Sequence, residues 1–314
     1  VLPEGDEERI LRAGEVLLLR QVCDLTLLGD EKEIQQKTAF LGLNLEGANI
    51  VNPVQSEWLG DFATTYYELR KHKGMREDYA KEHARDPLVF AAMMVRNSHA
   101  DGTVGGAVAT TSDTVRAALQ VIGKAKDAPI VSSFFLMALP ENHPSGRDAL
   151  IFGDCGLVID PDPKELAAIA AASAASCLQL REVAPKVALL SFSTLGSAKH
   201  AAVTKVTDAL DILRHDHPNL QADGELQFDA AFVPSVAASK APGSPVAGHA
   251  NVMIFPNLDA GNIGYKIAQR IGGCQAIGPI LQGLSKPAND LSRGCTAQDV
   301  TNMIAVTTLQ VDHG

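Results

Sequence analysis

The chain has 314 residues, 46% apolar and 20% charged, and its 27 basic against 37 acidic side chains leave a net charge of −10. Such a composition belongs to a globular protein, and the length leads to an expectation of two domains. The acidic balance excludes a nucleic-acid binder that works through a general basic field.

Strand-length apolar runs alternate with stretches of helical period almost throughout, the pattern of an α/β protein with a largely parallel sheet. In the first part, strands are predicted at Asp24–Leu28, Asn49–Asn52 and Gly102–Val104. Helices are predicted at Glu7–Gln21, Lys32–Leu41, Phe62–Lys73, Glu77–His83, Pro87–Asn97 and Ser112–Gly123. Near 129 the texture changes. Pro129–Leu139 reads as a long buried strand, followed by short strands at Leu150–Phe152 and Leu157–Ile159. Asp162-Pro163-Lys164-Glu165 is a helix start, with Asp as cap and Pro at the first helical position. The Ala- and Ser-rich helix that follows is suited to close packing, and a contact between subunits is one use for it. Strands are then predicted at Val187–Phe192, Phe228–Val233, Val252–Phe255 and Ala276–Leu281, the last of them. Helices are predicted at Ser197–Leu213, Ile263–Ile271 and Asp299–Gln310. Pro140–Asp148 and Ala237–Gly248 read as long loops, which are often functional.

The densest chemistry lies in D-L-S-R-G-C-T-A-Q-D-V at 290–300, which follows G-P-I-L-Q-G-L-S-K-P-A-N at 278–289. A hydroxyl (Ser292), a guanidinium (Arg293) and a carboxylate (Asp299) fall where a buried strand empties into a loop that opens a helix. Ligands of open α/β sheets bind at such carboxyl ends. Structure alone also explains these residues. Thr296 and Asp299 have the spacing of a capping box, Ser292 that of a turn hydroxyl, and Arg293 could be a surface cation.

The standard fingerprints are missing: G-x-G-x-x-G, G-x-x-x-x-G-K-S/T and G-x-S-x-G do not occur. The five cysteines (Cys23, Cys155, Cys177, Cys274, Cys295) are odd in number and scattered, as expected for reduced thiols in a cytoplasmic protein. His215 and His217 sit at a predicted helix end before Pro218, better read as solvated than as a metal site. No signal peptide is expected from V-L-P-E-G-D-E-E-R, and the Ala-rich helix is too weakly apolar to cross a membrane. Without an initiator Met, the chain is expected to begin inside a longer sequence, or to lack its first residues.

Seven segments then form one ordered pattern: V-L-P-E-G at the start, E-L-R-K-H-K-G-M at 68–75, A-D-G-T-V-G-G-A-V-A-T-T-S-D-T-V-R at 100–116, L-S-F-S-T at 190–194, D-A-A at 229–231, K-A-P-G-S-P-V-A-G at 240–248 and G-P-I-L-Q-G-L-S-K-P-A-N-D-L-S-R-G at 278–294. In this order the whole chain resembles the phosphate acetyltransferases (phosphotransacetylases), most strongly at the last segment. The resemblance implies a two-domain, isocitrate/isopropylmalate-dehydrogenase-like α/β fold with an interdomain cleft. It implies a first domain built from 1–130 and 281–314, a second from 131–280, and a homodimer. The implied activity is reversible transfer of an acetyl group between coenzyme A and inorganic phosphate.

Residue by residue, the resemblance assigns Asp299 as general base on the coenzyme A thiol, with Ser292 orienting the thiol or acyl oxygen. Arg293, Arg70, Arg116 and Thr111 would meet the charge of phosphate and of the tetrahedral oxyanion. Asn262 and Lys286 are candidates for holding coenzyme A at the cleft edge. Coenzyme A is expected as substrate; no permanently bound cofactor, metal, nucleic acid or membrane is expected. On spacing alone, Arg70 lies in a charged run and Arg116 can pair with Asp113 on its own helix. Departures from the pattern are Ala109, where many members have His, and Ala117, where Pro often follows the Arg. Alternatives are a phosphate butyryltransferase with a larger acyl pocket, a non-catalytic acyl-CoA-sensing domain, and a dehydrogenase of the same fold. The last lacks an acidic metal-binding cluster.

Overall fold

In chain order the elements are α1 (Glu8–Leu19), β1 (Thr26–Leu28), α2 (Glu31–Phe40), β2 (Asn49–Val51), α3 (Leu59–Arg70), α4 (Glu77–His83), α5 (Pro87–Arg96), β3 (Thr103–Gly105) and α6 (Thr111–Ala117). A wider helical turn at Ala118–Ile122 extends α6. Then come β4 (Ser132–Ala138), β5 (Ala149–Gly153), α7 (Pro163–Arg181), β6 (Lys186–Leu190), α8 (Ala201–Asp216), β7 (Gln221–Leu226), α9 (Phe228–Phe232), α10 (Pro234–Lys240), β8 (Val252–Ile254), α11 (Leu258–Arg270), β9 (Gln275–Gln282), β10 (Ala288–Asp290) and α12 (Ala297–Gln310). The structure is a computed structural model and describes residues 1–311. The chain divides into two units, one formed by Val1–Lys126 with the segment from Leu284 onward, the other by Asp127–Gly283. No helix among the described residues is long and apolar enough to cross a membrane.

The first unit is organised around α5. Asp86 caps it by accepting from the Leu88 and Val89 amides, and Pro87 opens it. Every residue from Val89 to Val95 is buried, so the helix is covered on all sides. Phe62 and Tyr66 of α3 pack there, with Phe62 and Phe90 ring centroids 4.9 Å apart. Two short parallel pairs complete the unit, β1 with β2 and β3 with β10.

The second unit holds a six-stranded sheet of order β7-β6-β8-β5-β4-β9. Strands β5, β8, β6 and β7 run parallel, whereas β4 is antiparallel to both β5 and β9. Helix α7 begins with the capping box that Asp162 and Glu165 predict.

Five expectations are corrected, one of them the loop read from Ala237, since helix α10 runs on to Lys240. Phe228–Val233 is helical: α9 spans Phe228–Phe232, whose terminal rings stack one helical turn apart at 5.8 Å. A short apolar run does not separate strand from helix by periodicity. The strand of this region is β7, hidden by the polar sequence Gln-Ala-Asp-Gly-Glu-Leu. Its Asp223 and Glu225 are buried because they are paired: Arg214 reaches Asp223 at 2.9 Å, and Ser193 Oγ and the Gly196 amide donate to Glu225, each at 2.8 Å. Leu157–Ile159 is not a strand, because Asp154 captures the Gly156, Leu157 and Val158 amides at 2.7, 2.9 and 3.3 Å. Finally, β9 is followed by another strand, β10, which carries the chain into the segment at 290–300.

Candidate active site

Strands β3 and β10 lie side by side and parallel, with Gly105 opposite Asp290. Both loops at their carboxyl ends open helices. The loop from β3 runs through Gly106 to Thr110, whose side chain caps α6 by accepting from the Asp113 amide. Gly106 has φ +101°, and a Cβ there would overlap Asp290 Oδ1 and stand 2.8 Å from the Leu291 carbonyl, so only glycine fits. The loop from β10 runs from Leu291, whose amide donates to Gly105 O at 2.7 Å, to Thr296, the cap of α12.

This pairing gathers four of the eight site residues singled out by the sequence. Thr111, the first residue of α6, donates its hydroxyl to Asp290 Oδ2 at 2.7 Å. Ser292 and Arg293 are exposed; Ser292 Oγ accepts from the Gly294 amide at 3.3 Å, the turn bond its position suggests. Asp299 is half-buried in the first turn of α12 and completes the capping box. Thr296 N and Thr296 Oγ both donate to Asp299 Oδ2, each at 2.8 Å. Asp299 Oδ1 accepts no hydrogen bond among the described residues, so the carboxylate has an oxygen left for a proton after capping its helix.

The arginines divide by partner. Arg116 pairs with Asp113 at 2.7 Å in an exposed contact on one helix. Among the described residues, neither Arg70 nor Arg293 makes a side-chain ion pair. Arg70 closes α3, and its buried Nε has no hydrogen-bond partner among the described residues. An unmet buried donor costs about 1–3 kcal/mol, a strain that a bound anion would relieve. The phenol of Tyr66, buried and donating to Gln120 Oε1 at 2.8 Å, lies within the field of both Arg70 and Arg116.

The two proposed coenzyme A contacts belong to other elements. Lys286 precedes β10, at its amino end, and its ammonium donates to Val95 O and Ser98 Oγ, each at 2.8 Å. Asn262 belongs to α11 of the other unit, where its side chain donates to Cys155 O at 3.3 Å.

Three further residues hold the site and were not singled out from sequence. Asp290 is 1% exposed, and its Oδ1 has no hydrogen-bond partner among the described residues. Burial raises its carboxyl to about 6, against the opposing hydrogen bond of Thr111, with Glu4 adding to the rise. An acid closing a buried strand was the sequence signal available for it. Glu4 accepts from four successive amides of the β3–α6 loop. Arg9 donates to the carbonyls of Ala107 (2.8 Å), Arg293 (2.7 Å) and Cys295 (3.0 Å), so it joins the two loops. No local spacing announces contacts of such sequence separation.

These features define an α/β enzyme with a dehydrogenase-like fold. A 4-hydroxythreonine-4-phosphate dehydrogenase from Klebsiella pneumoniae shares that fold at a TM-score of 0.50 and 10% identity, over 96% of this chain and 88% of the other. The family model of phosphate acetyl/butaryl transferases matches residues 1–308, and the chain belongs to that family. It is 49% identical over 310 residues to a phosphate acetyltransferase of Paracoccus denitrificans, covering 99% of this chain and 94% of the relative. A phosphotransacetylase structure from Streptococcus pyogenes superposes with a TM-score of 0.92 at 42% identity, over 100% of this chain and 93% of the other.

Proposed function

We propose that the protein is a phosphate acetyltransferase that moves an acetyl group reversibly between coenzyme A and inorganic phosphate. The observation that carries this reading is the meeting of Thr111, Ser292, Arg293 and Asp299 at the paired carboxyl ends of β3 and β10. The likeness to phosphate acetyltransferases over nearly the whole chain supports it.

A free thiol titrates near roughly 8.5, so at neutral pH the nucleophile must lose a proton as it attacks. Asp299 takes that proton on Oδ1 while Oδ2 holds the helix cap. Ser292 orients the thiol or the acyl oxygen. Attack on acetyl phosphate builds an oxyanion and releases phosphate, and both gather negative charge. Arg70, Arg116 and Arg293 meet that charge, since a guanidinium binds phosphate through two parallel hydrogen bonds. Thr111 adds a hydroxyl to the phosphate side. The two units correspond to the family's two domains, and the enzyme works as a homodimer. The unpaired cysteines suit a reducing, cytoplasmic setting.

The test is thioester formation from coenzyme A and acetyl phosphate, followed by absorbance, for the wild type beside Asp299→Asn. Asparagine keeps an oxygen for the cap, so the thermal midpoint should hold while kcat drops roughly 10²–10⁴-fold. Full activity in the folded variant would reduce Asp299 to a helix cap. Absence of turnover with acetyl phosphate and with butyryl phosphate would remove the enzyme reading.

A further inference from the structure

The loop that carries Thr111 and Arg116 into place is held by one side chain from the other end of the unit's sequence. The amides of Gly106 and Ala107 donate to Glu4 Oε2 at 3.0 and 2.8 Å, and those of Val108 and Ala109 to Oε1 at 2.9 and 2.7 Å. Successive amides turned toward one point form an anion cradle, and here it is filled by a carboxylate of the protein. Charge-assisted bonds of this kind are roughly twice as strong as neutral ones. Glu4 has no freedom to leave easily. Leu2 donates to Thr26 O and accepts from the Leu28 amide, each at 2.9 Å, and Gly5 donates to Leu28 O at 3.1 Å. Residues 2–5 are thus pinned along β1. A few residues on, Glu7 caps α1 and holds Arg9 Nε at 2.9 Å, leaving the rest of the Arg9 guanidinium for Ala107, Arg293 and Cys295 carbonyls.

We propose that Glu4 is a positioning residue for acyl transfer, whose carboxylate sets the β3–α6 loop and thereby places Thr111 and Arg116 against the Ser292–Asp299 segment. This rests on the acetyltransferase reading above. Arg9 completes the device by fastening the same loop to the backbone of the segment that bears Ser292 and Arg293. The four amides are already occupied, so phosphate charge must be met by groups other than these four, such as the arginine side chains and the Thr111 hydroxyl.

The experiment compares the full chain with Glu4→Ala, Glu4→Gln and Glu4→Asp, each with and without formate. Rates are read from acetyl phosphate and coenzyme A. Glutamine keeps one oxygen but turns an amide N–H₂ toward backbone donors, and alanine empties the cradle. A displacement of about an ångström costs up to roughly a hundredfold in rate. The expected result is a loss of kcat of at least tenfold in the Ala and Gln variants, with a smaller change in KM for coenzyme A. Formate should restore much of the rate to Glu4→Ala and none to Glu4→Gln, which no merely structural role would produce. Rates within twofold of the wild type in both variants would overturn the proposal, as would a loss that follows the unfolded fraction and ignores formate. If Glu4→Ala does not fold, Glu4→Asp carries the test. Its shortened carboxylate should lower kcat at an unchanged thermal midpoint, and a wild-type rate would overturn the proposal. Deuterium exchange at residues 106–109 separates the two readings. Protection that Glu4→Ala loses and formate restores upholds the cradle even in a wild type without turnover, an outcome that sinks the acetyltransferase reading alone. Unchanged exchange overturns the proposal.

Discussion

Asp154 and Glu4 perform the same operation in the two units of this protein, at opposite sequence range. Asp154, 3% exposed, gathers three amides of its own loop, those of Gly156, Leu157 and Val158, and adds the Ser133 amide and hydroxyl at 2.7 and 2.6 Å. Glu4 gathers four amides, each more than a hundred residues along the chain. The Asp154 cradle closes a turn that leaves the sheet and bears none of the residues assigned to catalysis. The Glu4 cradle fixes a loop that opens a helix of such residues. The Asp154 cradle maintains the fold, because its carboxylate and its Ser133 donors are buried away from water. The half-buried Glu4 at a strand end sets geometry, because its donors would find water if released.

That contrast separates rate from stability, and mutations can break it on either side. Loss of rate should be greatest in Asp299→Asn, with the Glu4 variants next, and both should unfold close to the wild type. Asp154→Ala should do the reverse. It strands the buried Ser133 amide and hydroxyl together with three half-buried amides, and the expected loss is about 3 kcal/mol, read from urea unfolding of the whole chain. If Asp154→Ala costs no more stability than Glu4→Ala, the two cradles are equivalent and the contrast fails.

A smaller effect is expected at Asp290. Its carboxyl is raised to about 6 by burial, above an unfolded value of about 3.9. Between those values the native protein keeps a proton that the unfolded chain has released. The stabilisation is fully present below about pH 4, declines as pH rises through about 6 and is flat beyond. The span corresponds to roughly 2–3 kcal/mol at full effect. Asp290→Asn should flatten that slope in urea midpoints measured from pH 4 to pH 7. A slope unchanged in the variant would assign the titration to another group. The smallest effect belongs to Asp113→Asn. Both partners of its bond to Arg116 are about half exposed, at 48% and 58%, and solvent screens such pairs. The unfolding midpoint should not move, and a clear loss would show that the pair does more than steady an exposed arginine.

What was legible in the sequence follows the same division. Helix starts were readable because a cap is local chemistry: Asp162 with Glu165 and Thr296 with Asp299 both form the boxes their spacing implies. The α/β alternation was readable because buried strands such as Val252–Ile254 are unbroken apolar runs. Strand β7 was not, since a strand carrying Asp223 and Glu225 looks exposed until Arg214, Ser244 and Ser193 arrive from elsewhere. The segment from Ser292 to Asp299 stood out because its groups are close in sequence. Glu4, Arg9 and Asp290 gave no comparable signal.

The sequence by itself therefore determined the caps, the alternation of elements, the order of the family's motifs and the acidic character of the chain. Only the tertiary structure decided that, among the described residues, Asp299 keeps an oxygen open beside its cap and Arg70 lacks a partner for its buried Nε, and that Glu4 fills a cradle built by residues 106–109. The physical reason is range. Caps and turns bond within a few residues, so local spacing encodes them. A hydrogen bond across a hundred residues depends on which strands lie side by side, and pairing β3 with β10 is a decision of the whole folded unit.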